Sequence, residues 1–223
     1  MATRFYLPST TPSNFVGTIG LAPAYGAWTV TTQAVRLACY RRKQNTAMAN
    51  ASISGDTDKS LESLLIRQYI SGSLKAQTIA QQTVKWQIKG LETNAANNLY
   101  AAISIRSWNY KTLAFQTLLA ITADDVELPI TTATNRQFSA TTAGAITVAV
   151  NDRLVIEIGV SGDPDSSGSD FHNSTLVIGD NSATDLPEDD LDQNTYNPWV
   201  EFANTITFAE KHRMFTMFPT FKQ

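Results

Sequence analysis

Glu157 stands between Ile156 and Ile158 in the segment RLVIEIGV, and Glu92 closes the segment KGLET. Two carboxylates flanking a sugar ring are what glycoside hydrolysis requires, and all-β scaffolds can host that chemistry. The alternation around Glu157, however, turns its side chain away from the apolar face and toward solvent. No set of aromatic and acidic residues converging on one sheet face can be assembled from the spacing. Cys39, the single cysteine, lies between Ala38 and Tyr40 in an alternating stretch. That context reads as a small buried apolar residue rather than a nucleophile. The two histidines, His172 and His212, fall in an acidic loop and in the last segment of the chain. No nucleophile elbow, phosphate loop, zinc-protease helix or dinucleotide fingerprint occurs. The expectation is a chain with no catalytic residue and no cofactor.

Three binding chemistries have more material. Calcium takes six to eight oxygen ligands, and the acidic loops offer Asp163, Asp165 and Asp170 in DPDSSGSD, then Asp180 and Asp185 in DNSATDLPEDD. The spacing is not that of an EF-hand, and solvated turns capped by their own Asp and Asn side chains account for both loops. Sugars stack on exposed aromatics. Trp108 and Tyr110 in IRSWNYKTL fall at a strand end and turn, where exposure is plausible for a glycan platform, whereas Trp86 lies on an apolar strand face and reads as core. Protein docking is the third. Met214, Phe215, Met217, Phe218 and Phe221 crowd the closing segment, which a solvated tail would not need. Arg41, Arg42 and Lys43 are too few to attract nucleic acid and could pair with an acidic loop of a neighbouring copy.

The elements that must position these residues are strands. Of 223 residues, 43% are apolar and only 17% charged, with Thr, Ser, Asn and Gln in place of the missing charge. That balance suits a sheet protein with hydroxyl-rich faces that neighbours will cover. The net charge of −3 gives no general attraction to nucleic acid, and one cysteine excludes an intrachain disulfide. The opening MATRFYLPSTTPSNF lacks a signal-peptide core, and no apolar run nears the roughly 18 residues of a membrane span, so a soluble chain is expected.

Period-two alternation dominates. In TVKWQIKG, Val84, Trp86 and Ile88 oppose Lys85, Gln87 and Lys89; in LYAAISIRSW, Ala101, Ile103 and Ile105 oppose Ser104 and Arg106. These two segments read as a hairpin across LETNAANN. Further strands are expected in QAVRLACYR, SLLIRQYISG, LAFQTLLAI, AITVAV, RLVIEIGV, STLVIG and WVEFANTITF. One short helix is expected in DKSLESLL, with Asp58 as its N-cap and Glu62 in its first turn. The fold class is all-β: a single antiparallel β-sandwich of jelly-roll type over residues 33–208. Residues 1–32 form an irregular N-terminal strand and arm packed on the sandwich, with Pro and Gly mixed among Phe15, Tyr25 and Trp28 over residues 9–32, and residues 209–223 form a docking tail.

The segments ATRFYLPST, RQYISGSLKAQTI, TVKWQIKG, NRQF and DRLVIEIGV, closed by GDNSATDLPEDD and NPWVEF, are similar to a group of poorly characterised β-sandwich proteins. These are encoded among the virion structural genes of tailed bacteriophages and prophages. The resemblance covers residues 1 to 208 and is most specific in DLPEDD followed by NPWVEF. It implies a non-enzymatic virion component, a capsid decoration or a tail or fibre protein, assembled in the host cytoplasm. Its partners would be other virion proteins and copies of itself, with neither nucleic acid nor membrane. The alternative is a carbohydrate-binding module for a host surface glycan.

Overall fold

A computed structural model describes residues 2–10, 22–32, 34–54, 62–93, 98–163, 173–180 and 198–209. Thirteen strands run through them, and no helix occurs among the described residues. In chain order they are β1 (Thr3–Tyr6), β2 (Val35–Ala38), β3 (Ala49–Ser54), β4 (Glu62–Ser73), β5 (Gln77–Ile79), β6 (Thr83–Glu92) and β7 (Asn98–Trp108). The remainder are β8 (Phe115–Glu127), β9 (Thr134–Thr141), β10 (Ile146–Val148), β11 (Arg153–Asp163), β12 (Asn173–Ile178) and β13 (Trp199–Phe202).

A six-stranded sheet is centred on β6. One edge of β6 pairs with β9 along almost its whole length; the other takes β13 and then β12, end to end. A five-stranded sheet has the order β2-β4-β11-β7-β8, antiparallel except for the parallel β2–β4 pair, and β5 and β10 form a separate two-stranded ribbon. Alternation sends one face of each large sheet into a shared core. Phe5, Trp86, Ile88, Leu176 and Phe202 come from the first sheet, and Leu64, Ile66, Ile103, Ile105, Ile156 and Ile158 from the second. Trp86 is fully buried, edge-on to Phe138 with ring centroids 4.3 Å apart.

Three local expectations need correction. Glu62–Leu65, expected to be helical, instead opens β4; Glu62, Ser63 and Leu64 pair with Gly162, Ser161 and Val160 of β11. Cross-strand pairing outweighs a weak local helix signal here. β6 and β7 are not a hairpin: they belong to different sheets, and the connection after Glu92 carries the chain from one to the other. Both strands bury their apolar positions, which facing sheets satisfy as well as neighbouring strands do. The last strand stops at Phe202. Beyond it the chain crosses over, so that Phe208 bridges Leu74 and the Ala209 amide donates to the Ser73 carbonyl at 2.8 Å.

Candidate functional site

Glu157 faces outward from β11, as the alternation requires, yet it is completely buried. The solvated side chain expected from the sequence is therefore wrong, and the reason is tertiary. Residues 22–30 lie over the outer face of the five-stranded sheet, where Trp28 packs with Leu65 and Ala102. Beneath them, the two carboxylate oxygens of Glu157 accept five hydrogen bonds. Oε1 takes the Gly26 amide at 3.0 Å, Gln68 Nε2 at 2.9 Å and an Arg106 terminal nitrogen at 2.8 Å. Oε2 takes Trp28 Nε1 at 3.1 Å and Ser104 Oγ at 2.8 Å.

Strand register builds this cluster. Gln68 on β4 and Ser104 on β7 stand directly opposite Glu157 on its two neighbours, and Arg106 is two residues along the same face of β7. Gln68 and Arg106 each donate again to the Ala24 carbonyl, at 3.2 and 2.8 Å, and Arg36 Nε donates to Gln68 Oε1 at 2.9 Å. Arg36 also covers the Tyr25 ring at 4.0 Å. Two glycines make the approach possible. A Cβ on Gly26 would stand 2.5 Å from Glu157 Oε2, and one on Gly159 would meet the Leu64 carbonyl and come within 2.8 Å of Trp28.

A carboxylate has about four lone-pair positions, so five donors leave nothing with which to abstract a proton or attack a sugar. A buried charge is costly unless paired and fully hydrogen-bonded, and here it is both. Glu157 therefore acts as a pin holding the arm to the sheet. Gln68, Ser104, Arg106, Gly26 and Trp28 were not legible as its partners. Their only sequence signal was that three of them sit at polar positions of alternating strands.

Glu92 does not join Glu157. Its Oε2 accepts the Leu99 amide at 3.1 Å, and Leu99 lies five residues along β7 from Ser104, about 17 Å of strand. Burial, with the neighbouring Glu127 carboxylate adding to it against that backbone bond, pushes the Glu92 carboxyl up to about 8. Cys39 is buried, and burial raises its thiol far from the reactive range.

The binding candidates divide. Trp108 is buried, not exposed as a stacking platform: it stands at the end of β7 directly opposite Arg153 of β11, on the same face as Ser104 and Arg106; Tyr110 is half-buried in the following turn. Asp180 is buried and ion-paired to Lys43 at 2.8 Å, so part of the basic cluster is satisfied within this chain rather than by a neighbour's loop. Asp163 ends β11. Asp165, Asp170, Asp185, His172, His212 and the docking residues Met214, Phe215, Met217, Phe218 and Phe221 lie outside the described residues. Among the described residues no three acidic, His or Cys side chains come together as a metal-ligand set.

One open groove of about 460 Å³ lies between the start of β8 and the end of β10. Ser107, Asn109, Gln116, Thr147 and Asp152 supply its polar lining, and Gln116 Nε2 spans it to the Thr147 carbonyl at 2.9 Å. Asn109 and Asp152 hold each other at 2.7 Å on its floor. At the turns beside it, Leu113 is 53% exposed and Val150 59% exposed. Leu113 holds that position with φ of 59°, a left-handed conformation that leucine rarely adopts.

No family model and no curated protein matches the chain. Among solved structures, two crystal structures of a CocE/NonD family hydrolase from Staphylococcus aureus align with 93% of this chain at 6% identity. Their TM-scores are 0.45 and 0.46. The chain spans 37% and 36% of those two chains, little more than a third of their length. A likeness at that level assigns neither fold nor activity.

Proposed function

We propose that this protein is a non-enzymatic structural component of a tailed-phage virion, a capsid decoration or a tail or fibre-associated protein that works through protein–protein contacts. The observation that carries the reading is the Glu157 cluster. The residue best placed to be catalytic spends all its acceptor capacity on fastening an arm to a sheet. On this reading the two large sheets form one sandwich of jelly-roll type. Neighbours are engaged by the apolar turn tips Leu113 and Val150, and by the docking segment that includes Phe215 and Phe218. The virion class itself comes from the sequence resemblance.

The test is the protein inventory of purified particles from a lysate of the encoding phage or induced prophage, with immunogold labelling against residues 1–208. Label on heads or on tails supports the proposal and separates its two forms. Absence from the particle inventory sinks it.

The groove favours one second reading, a carbohydrate-binding module, because amides and hydroxyls dominate its polar lining. Trp108 contributes no platform there. Glycan binding that is lost in Gln116→Ala with the fold intact would select this reading.

A further inference from the structure

Glu92 is an anomaly of the core. The inward residues of β6 run Val84, Trp86, Ile88, Gly90 and then Glu92, so an acidic side chain closes an apolar row. Glu92 is fully buried, and its Oε1 has no hydrogen-bond partner. Directly opposite it in register, Ser174 of β12 faces the same interior. Ser174 is also fully buried, and its Oγ likewise has no partner. Glu127, exposed at the end of β8 and opposite Tyr100 of β7, brings a second acidic side chain against Glu92. No ion pair to Lys or Arg reaches either Glu92 or Glu127 among the described residues. Lys89, on the same strand, belongs to the opposite face. Glu62 adds another inward, buried acid from β4, across Gly162 from Leu99 and about two strand spacings, or 10 Å, away.

Buried polar atoms without partners are rare, and each needs an explanation. Here the unpartnered atoms are all oxygens, they adjoin in register, and a second acidic side chain comes against Glu92 beside them. An all-oxygen donor set of carboxyls and a hydroxyl suits a hard cation, and calcium, which accepts flexible coordination, suits it better than magnesium with its strict octahedron. We propose that Glu92 Oε1, the Glu127 carboxylate and Ser174 Oγ form a binding site for a calcium ion at the rim between the two sheets, with water completing the coordination. The ion would neutralise the acid pair and tie the end of β8 to the ends of β6 and β12. This inference stands apart from the virion reading and does not depend on it. The upward displacement of the Glu92 carboxyl by burial and by Glu127 fits a pair awaiting a positive charge.

The competing account is one proton shared between the two carboxyls, and calcium discriminates. The whole protein is stripped with EDTA and its Tm followed while calcium chloride is added, with magnesium chloride and sodium chloride of equal ionic strength as controls. The expected result is a saturable rise specific to calcium, with an apparent Kd on the order of 10⁻⁴ to 10⁻³ M, as for ligand-poor sites. Glu127→Gln changes an exposed side chain and will fold; it should weaken that Kd at least tenfold. Glu92→Gln removes the ionisable group without changing shape, so above about pH 8 its metal-free Tm should equal or exceed that of the parent, while its calcium response disappears. No calcium-specific shift, or an undiminished shift in both variants, overturns the proposal.

Discussion

The amide nitrogen of Gly26 lies 3.0 Å from Glu157 Oε1, across 131 positions of sequence. This bond, with that from Trp28 Nε1, ties an irregular segment near the start of the chain to the centre of the five-stranded sheet. It makes the arm part of the folded unit, fastened to the same carboxylate that pairs with Arg106.

Glu157→Gln removes the charge but keeps the shape, and it points a donor at an environment made of donors. Removing one partner of a buried pair leaves the other uncompensated, so a loss of about 3–5 kcal/mol is expected from urea unfolding. A change below about 0.5 kcal/mol, the range of ordinary surface substitutions, would show that the cluster is not closed in solution.

Gly159→Ala tests the arm separately. The added methyl meets the Leu64 carbonyl and the Trp28 ring, so the backbone or the indole must move, at a cost of roughly 1–3 kcal/mol or more. Chymotrypsin should then cleave after Tyr25 or Trp28 faster than in the parent protein under native conditions. Equal cleavage rates would show that Trp28 does not rest on Gly159.

The Glu92 carboxyl sets a pH dependence for the metal-free protein. Its pKa is raised from 4.5 to about 8 in the folded state, so the folded protein binds the proton more tightly than the unfolded chain. The associated stability is complete below about pH 4.5 and is lost as pH rises through about 8, with a slope of at most about 1.4 kcal/mol per pH unit. The difference in unfolding free energy between the parent and Glu92→Gln should therefore change across that window and flatten outside it. A constant difference from pH 5 to pH 8 would contradict the burial of this acid.

Leu113→Gly separates contact from stability. Glycine adopts φ of 59° without strain, and relief of that strain offsets its greater freedom in the unfolded chain, so stability should change by less than about 1 kcal/mol. If Leu113 and Val150 are contact points, Leu113→Gly and Val150→Asp should reduce self-association in sedimentation velocity, or incorporation into particles, at unchanged Tm. Undiminished association in the pair of substitutions would remove the turn tips from the interface.

Much of the strand content was legible because alternation is local. The inward faces of Val84, Trp86 and Ile88, and of Ala101, Ile103 and Ile105, follow from side chains pointing to opposite sides of a strand at every step. The burial of Cys39 followed in the same way. What lay beyond the sequence was adjacency. Glu157 alternates outward whatever its surroundings. Whether that side meets water or a layer of protein depends on residues 22–30, interrupted by Pro23 and Gly26, which carry no periodic signal. Trp108 shared that fate: a strand end and turn look exposed in the sequence, yet its side chain is buried in the folded chain. The composition and alternation of the chain thus determined an all-β molecule and the inner faces of its strands. Only the tertiary structure decided which strands are neighbours, because hydrogen-bond register between segments 50 to 130 residues apart is set by the packing of whole sheets. That register placed Gln68, Ser104 and Arg106 around one buried carboxylate, and Ser174 beside another.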